Sequence, residues 1–221
     1  VVLGQVTLAA CLGADLFFRE TFGGNGRTCG SCHPAANNYT IDRDYIERLA
    51  DDDPLFVAEN NPALAQLEIP SLLRDDGLIL VNADGFEAPT EKFVVRSVQH
   101  LLGLEVSRLS PPQYPDSPSH SVDGTLYPIP AERLGWSGDG APGQGTLRDF
   151  ADGAIAQHAT RSLNRVPGVD FFLPTEDEKD AIATFSGSIG RMNDVDLEKV
   201  QLVDAGAARG VGRGVGRSRQ Q

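Results

Sequence analysis

The most specific chemistry in this 221-residue chain lies in five consecutive residues, Cys29-Gly30-Ser31-Cys32-His33. Two thiols three positions apart fall on one side of a helical turn. An imidazole one residue further on can point at whatever the thiols hold. Gly30 and Ser31 are small, so a flat group can approach the backbone between them. This C-x-x-C-H order is the attachment motif of a c-type haem, in which the thiols add to two vinyl groups and the histidine ligates the iron. Two other chemistries use a C-x-x-C pair. A zinc site needs further Cys or paired His close by, and the remaining cysteine, Cys11, reads as a small buried apolar residue. A thioredoxin-like pair needs a βαβ setting, whereas the flanks here read as helix and loop. The motif therefore predicts one covalent haem c on Cys29, Cys32 and His33. Such attachment takes place outside the cytoplasm, in the periplasm or an equivalent compartment.

A second axial ligand must come from elsewhere in the chain. His158 is the first candidate. Thr146-Leu147-Arg148-Asp149 reads as a capping-box start, and Leu147, Phe150, Ala151, Ala154, Ile155 and His158 follow at helical spacing. A lone histidine on an apolar face is ordinarily a hydrogen-bonded core residue, so both roles stay open. His100 is the second candidate, on a helix expected over residues 94–104 with Val94, Val98, Leu101 and Leu102 on one side. Met192, the single methionine, and an open sixth position complete the alternatives; His120, in a Pro/Ser loop, reads as solvated.

The elements that must position these groups are mostly helical. A first helix is expected through Leu12, Leu16, Phe17 and Phe22, stopping at Gly23-Gly24-Asn25-Gly26. Residues 42–50 read as a short helix with Tyr45, Ile46 and Leu49 inward, and Asp53-Pro54 as another helix start. Residues 78–81 form a β-like run. Residues 107–145 are rich in Pro and Gly and read as loop. Thr175-Glu176-Asp177-Glu178 opens a helix burying Ala181, Ile182 and Phe185, and residues 194–203 suggest one more. The expected fold is mainly α: a cytochrome c-like haem domain over residues 1–204, with a loop-rich insert at about 37–91 and a small β element. A Gly/Arg-rich tail at 205–221 lacks an apolar face and is expected to be flexible. Leu16, Phe17, Phe22, Val98, Leu101, Phe150, Ile155, Ile182 and Phe185 are the residues expected to pack around the haem.

The net charge is −12, and setting aside the four Arg of the tail leaves −16 on residues 1–204. Such a body repels nucleic acid and anionic membrane and attracts basic partners. The apolar stretch at residues 1–12 lacks a preceding basic region and is too short to span a bilayer, so no transmembrane segment is expected. The initial Val1 points to a processed or incomplete start.

Several segments together resemble a known family. The stretch from Leu16 to His33 and Pro34, LFFRETFGGNGRTCGSCHP, is similar to the start of a haem domain in the bacterial di-haem cytochrome c peroxidase superfamily. Arg96-Ser97-Val98-Gln99-His100-Leu101 resembles its V/T-P-T-L-R-N segment. Trp136-Ser137-Gly138-Asp139-Gly140 with Gly145-Thr146-Leu147 resembles Y-F-H-D-G…T-L-E-E. Leu173-Pro174-Thr175-Glu176-Asp177-Glu178-Lys179 resembles an L-T-x-x-E-K helix start. The likeness runs from about residue 12 to residue 190. It implies an iron closed by two axial ligands, with the distal one in an A-V-x-x-M pattern. Here that pattern reads Ala154-Ile155-Ala156-Gln157-His158, which puts His158 where the family carries its methionine. The chain departs from the family in having one C-x-x-C-H, in lacking the peroxide-cleaving domain, and in its long insert. The implied function is electron transfer with six-coordinate iron and a basic redox partner, alone or within a larger cytochrome assembly. The alternative is a peroxidase-type enzyme with a displaceable sixth ligand.

Overall fold

Two long helices with strong local start signals frame the chain. The first, α1 (Leu8–Arg19), is capped by Thr7, whose hydroxyl accepts from the Ala10 amide at 3.1 Å. The last, α8 (Glu176–Ser188), opens on a capping box in which the Thr175 amide donates to Glu178 Oε2 at 2.8 Å. Three acids in its first turn also face the positive end of the helix dipole. These helices cross at Gly13. A Cβ there would lie 1.9 Å from the Ala181 carbonyl oxygen and 2.7 Å from Phe185 Cβ, so only glycine permits the approach. Beside the crossing, Phe17, Phe18 and Phe185 pack edge to face at centroid separations of 5.1 to 5.7 Å.

The computed structural model describes residues 6–82, 85–108, 119–122, 125–128, 132–135 and 145–190. Among them the architecture is mainly helical. After α1 come α2 (Cys29–Cys32), α3 (Arg43–Ile46), α4 (Val57–Asn60), α5 (Pro70–Asp76), α6 (Leu104–Arg108), α7 (Leu147–His158) and α8. Two antiparallel ribbons complete the described elements. One pairs β1 (Leu78–Val81) with β2 (Val94–Ser97), Leu78 opposite Ser97 and Val81 opposite Val94; the other pairs β3 (Ser119–Val122) with β4 (Thr125–Pro128). No helix among the described residues is long and apolar enough to cross a membrane.

The core divides into clusters of distinct origin. Phe22, Ile155, Ala159, Phe171 and Ile182 join α7, α8 and the turn after α1. Ile41, Ile46, Leu55, Phe56, Leu73 and Val98 form a second cluster, with Cys32 packed against it. Most of the second cluster comes from the expected insert. That segment is therefore more regular than a loop: it holds α3, α4, α5 and β1, with Asp53 capping as the sequence indicates, while the helix expected over 42–50 is only Arg43–Ile46, capped by Asp42.

Three expectations are corrected. Residues 94–104 do not form one helix: 94–97 are a strand and 104–108 a separate short helix. Val94, Val98 and Leu101 satisfy helical spacing, but β-branched Val94 and Val95 also suit a strand, and the exposed edge of β1 supplies their hydrogen-bond partners. Residues 119–128 contain a hairpin where loop was expected. The first helix stops at Arg19, with Leu12 exposed and Phe22 buried beyond the helix end in a left-handed conformation. The helix at 194–203, the tail and Met192 lie outside the described residues.

Gly13→Ala is expected to lower stability by about 1–3 kcal/mol, because the crowding atom is backbone and the overpacking cost exceeds the helix-propensity gain of up to about 1 kcal/mol. Urea unfolding of the two proteins measures the difference.

Candidate functional site

The C-x-x-C-H motif forms a single helical turn. Thr28 caps it, with the Thr28 amide donating to Ser31 Oγ at 3.0 Å, and the His33 amide closes it on the Cys29 carbonyl at 2.9 Å. Gly30 is required by close packing: a Cβ there would sit 2.5 Å from the Phe18 ring. Both thiols are half-buried by surface area and are kept protonated. Burial pushes Cys29 up to about 12, with the neighbouring Cys32 adding to the rise, and burial pushes Cys32 up to about 11 despite the nearby Arg27 charge. A reactive redox pair shows the opposite shift.

His33 is held in one orientation. Its Nδ1 lies 2.9 Å from the Tyr39 carbonyl oxygen and donates to it in the neutral ring, while the Gln99 backbone also bonds the imidazole. Burial first, and then the charge of His158, bring its pKa down to about 4. The ring is therefore neutral at ordinary pH. The Phe17 ring packs 6.1 Å away.

His158 ends α7, and the segment leading into the motif is stapled to it. Asn25 Nδ2 donates to the His158 carbonyl at 2.9 Å, and the Asn25 amide to the Ala159 carbonyl at 2.8 Å. A Cβ on Gly24 would lie 1.8 Å from that Ala159 oxygen, so glycine is needed there too. The same turn thus carries the chain toward Cys29 and fixes the backbone of His158. His100 is exposed and sits past the end of β2 rather than on a helix, although the backbone of its neighbour Gln99 reaches His33.

Beside His158 lies a pair that the sequence analysis missed. The side chains of Arg27 and Glu68 are 2% and 0% exposed and meet at 2.8 Å. Arg27 is fully satisfied: Nη1 donates to Glu68 Oε1, Nη2 to the Leu55 carbonyl and Nε to the Pro54 carbonyl. Glu68 Oε2 accepts from the Leu80 amide at 2.8 Å. His158 Nδ1 stands 3.8 Å from Glu68 Oε1, which is an electrostatic contact and too long for a hydrogen bond. Burial alone raises the Glu68 carboxyl, but the facing His158 and Arg27 outweigh it and hold it below the usual value. Arg165, buried in a left-handed conformation, adds a further positive charge felt by Glu68, and it bonds Asn82 Oδ1 at 3.3 Å. Asn82 in turn exchanges hydrogen bonds with Gln157 on α7. One sequence signal pointed to Glu68: it is the only charge in the apolar run Leu64 to Leu73.

Among the described residues no group of three or more His, Cys, Asp or Glu is arranged to hold a bare metal ion. A separate cavity of about 530 Å³ opens between α6, α7 and α8. None of the motif residues lines it, and its arginines are already paired, Arg108 with Glu105 and Glu132, Arg148 with Glu176 and Asp180.

Arg27→Met is expected to destabilise the protein by about 3–5 kcal/mol, since it strands a buried carboxylate, and Arg27→Met with Glu68→Leu to recover most of that loss. A double-mutant cycle in urea measures the coupling. No family model matches the chain, and neither a curated protein nor a solved structure matches it.

Proposed function

We propose that this chain is a c-type cytochrome with one covalent haem, carrying single electrons outside the cytoplasm. The observation that carries the reading is the C-x-x-C-H turn itself, with His33 anchored by Tyr39 and the backbone of His158 bonded to the turn that precedes the motif. Three features support the fit. The Tyr39 carbonyl holds Nδ1 of His33, so that Nε2 would be the ligating atom once haem displaced the Gln99 backbone from the ring. His158 Nδ1 is buried without a hydrogen-bond partner. Both cysteines lie on one turn, spaced so that each could make one carbon–sulfur bond to a vinyl group.

A haem bound here supplies a reversible one-electron Fe(III)/Fe(II) couple. His33 and His158 would fill both axial positions, leaving none for substrate. Two imidazole ligands favour a lower potential than an imidazole with a thioether. The acidic body suits docking to a basic redox partner, alone or within a larger assembly. The proposed location is the periplasm or its equivalent.

The pyridine haemochrome spectrum of protein matured with haem-attachment machinery is expected to show one c-type haem. Cys29→Ser with Cys32→Ser is expected to abolish covalent retention. His158→Ala is expected to turn a low-spin bis-imidazole EPR signal high-spin. No haem in the wild type would sink the proposal. A wild type already high-spin that binds peroxide readily would replace the carrier with a peroxidase, and a thioether-to-iron absorption band would assign Met192 in place of His158.

A further inference from the structure

We propose that Glu68 is the positioning residue for His158: its carboxylate accepts a hydrogen bond from Nδ1–H of that imidazole, which would present Nε2 to the iron and lower the iron's potential. This inference rests on the haem reading above, with His158 as second axial ligand.

The two histidines are held in different ways. His33 Nδ1 meets a neutral backbone carbonyl, that of Tyr39. His158 Nδ1 is buried, has no hydrogen-bond partner, and has a fully buried carboxylate as its charged neighbour at 3.8 Å. Glu68 has capacity left to accept. An ionised carboxylate offers about four acceptor sites, and the structure uses one on Oε1, from Arg27, and one on Oε2, from the Leu80 amide. The carboxylate cannot swing away, because both of these bonds fix it. The imidazole is free to close the gap of roughly 1 Å to hydrogen-bond range by a small side-chain rotation, while its backbone stays bonded to Asn25. The charged groups facing Glu68 are Arg27, Arg165 and His158 itself. The Arg27 guanidinium bonded to the carboxylate favours its ionised form, which is the acceptor this role needs.

A ligating histidine whose other nitrogen donates to a carboxylate is a stronger donor to the metal. That stabilises ferric over ferrous iron. The competing role for Glu68 is neutralisation of Arg27 alone, which would leave the iron unaffected.

The test uses the haem-loaded protein as wild type, Glu68→Gln and Glu68→Asp. Glu68→Gln is expected to raise the midpoint potential, shift the ferric EPR g-values, and tighten apparent cyanide affinity by about 10–100-fold as His158 becomes easier to displace, the usual cost of losing a ligand's hydrogen-bond partner. Glu68→Asp keeps the charge and is expected to fall between. If Glu68→Gln does not fold, nitrogen-15 NMR of the ferrous wild type reads the same bond: a far-downfield, exchange-protected proton on His158 Nδ1 is expected. A folded, haem-loaded Glu68→Gln with unchanged potential and g-values overturns the inference alone, as does an Nδ1 proton exchanging at the solvent rate. Absence of haem from the wild type overturns it together with the reading beneath it.

Discussion

A guanidinium and a carboxylate removed from water must find each other, and much of this structure is arranged around that constraint. Leaving either Arg27 or Glu68 buried alone costs several kcal/mol, so every segment that covers them must also bring the partner. Arg27 lies on the turn entering the C-x-x-C-H motif, and Glu68 just before α5. Their pairing pulls the 54–55 turn inward through two carbonyls and fixes β1 through the Leu80 amide. Three separate stretches of chain are thereby tied to the segment that carries the cysteines.

The helical frame acts on the same element from the other side. The crossing of α1 and α8 at Gly13 sets the aromatic cluster of Phe17, Phe18 and Phe185, and this cluster packs on Gly30 and His33. The short helix α2 has few internal hydrogen bonds and would be marginal by itself. It is packed between aromatic rings on one side and the Ile41–Phe56 cluster on the other. A c-type haem requires a firmly held turn, since two thiols and one imidazole must address a planar group at once.

His158 shows how the two supports meet. Its backbone is set by Asn25, from the turn that also carries Arg27, and its ring faces Glu68. The proposed electron carrier thus has one histidine defined by its own turn and a second defined by the buried charges. Asn82 and Gln157 extend the polar layer from β1 to α7 and hold that helix against the ribbon.

The C-x-x-C-H turn, the capped starts of α7 and α8, the inward face of α3 and the place of His158 at the end of an apolar helical face were all legible in the sequence. Each depends on residues within about one turn of one another, where spacing and capping chemistry act locally. Only the tertiary structure decided that residues 94–97 pair as a strand, because the free edge of β1 outweighed a pattern that also fitted a helix. It alone decided that Glu68 is buried against Arg27 and faces His158. A charged side chain looks the same in sequence whether water or a partner 41 residues away neutralises it, and the choice is made when the chain closes and the solvent leaves.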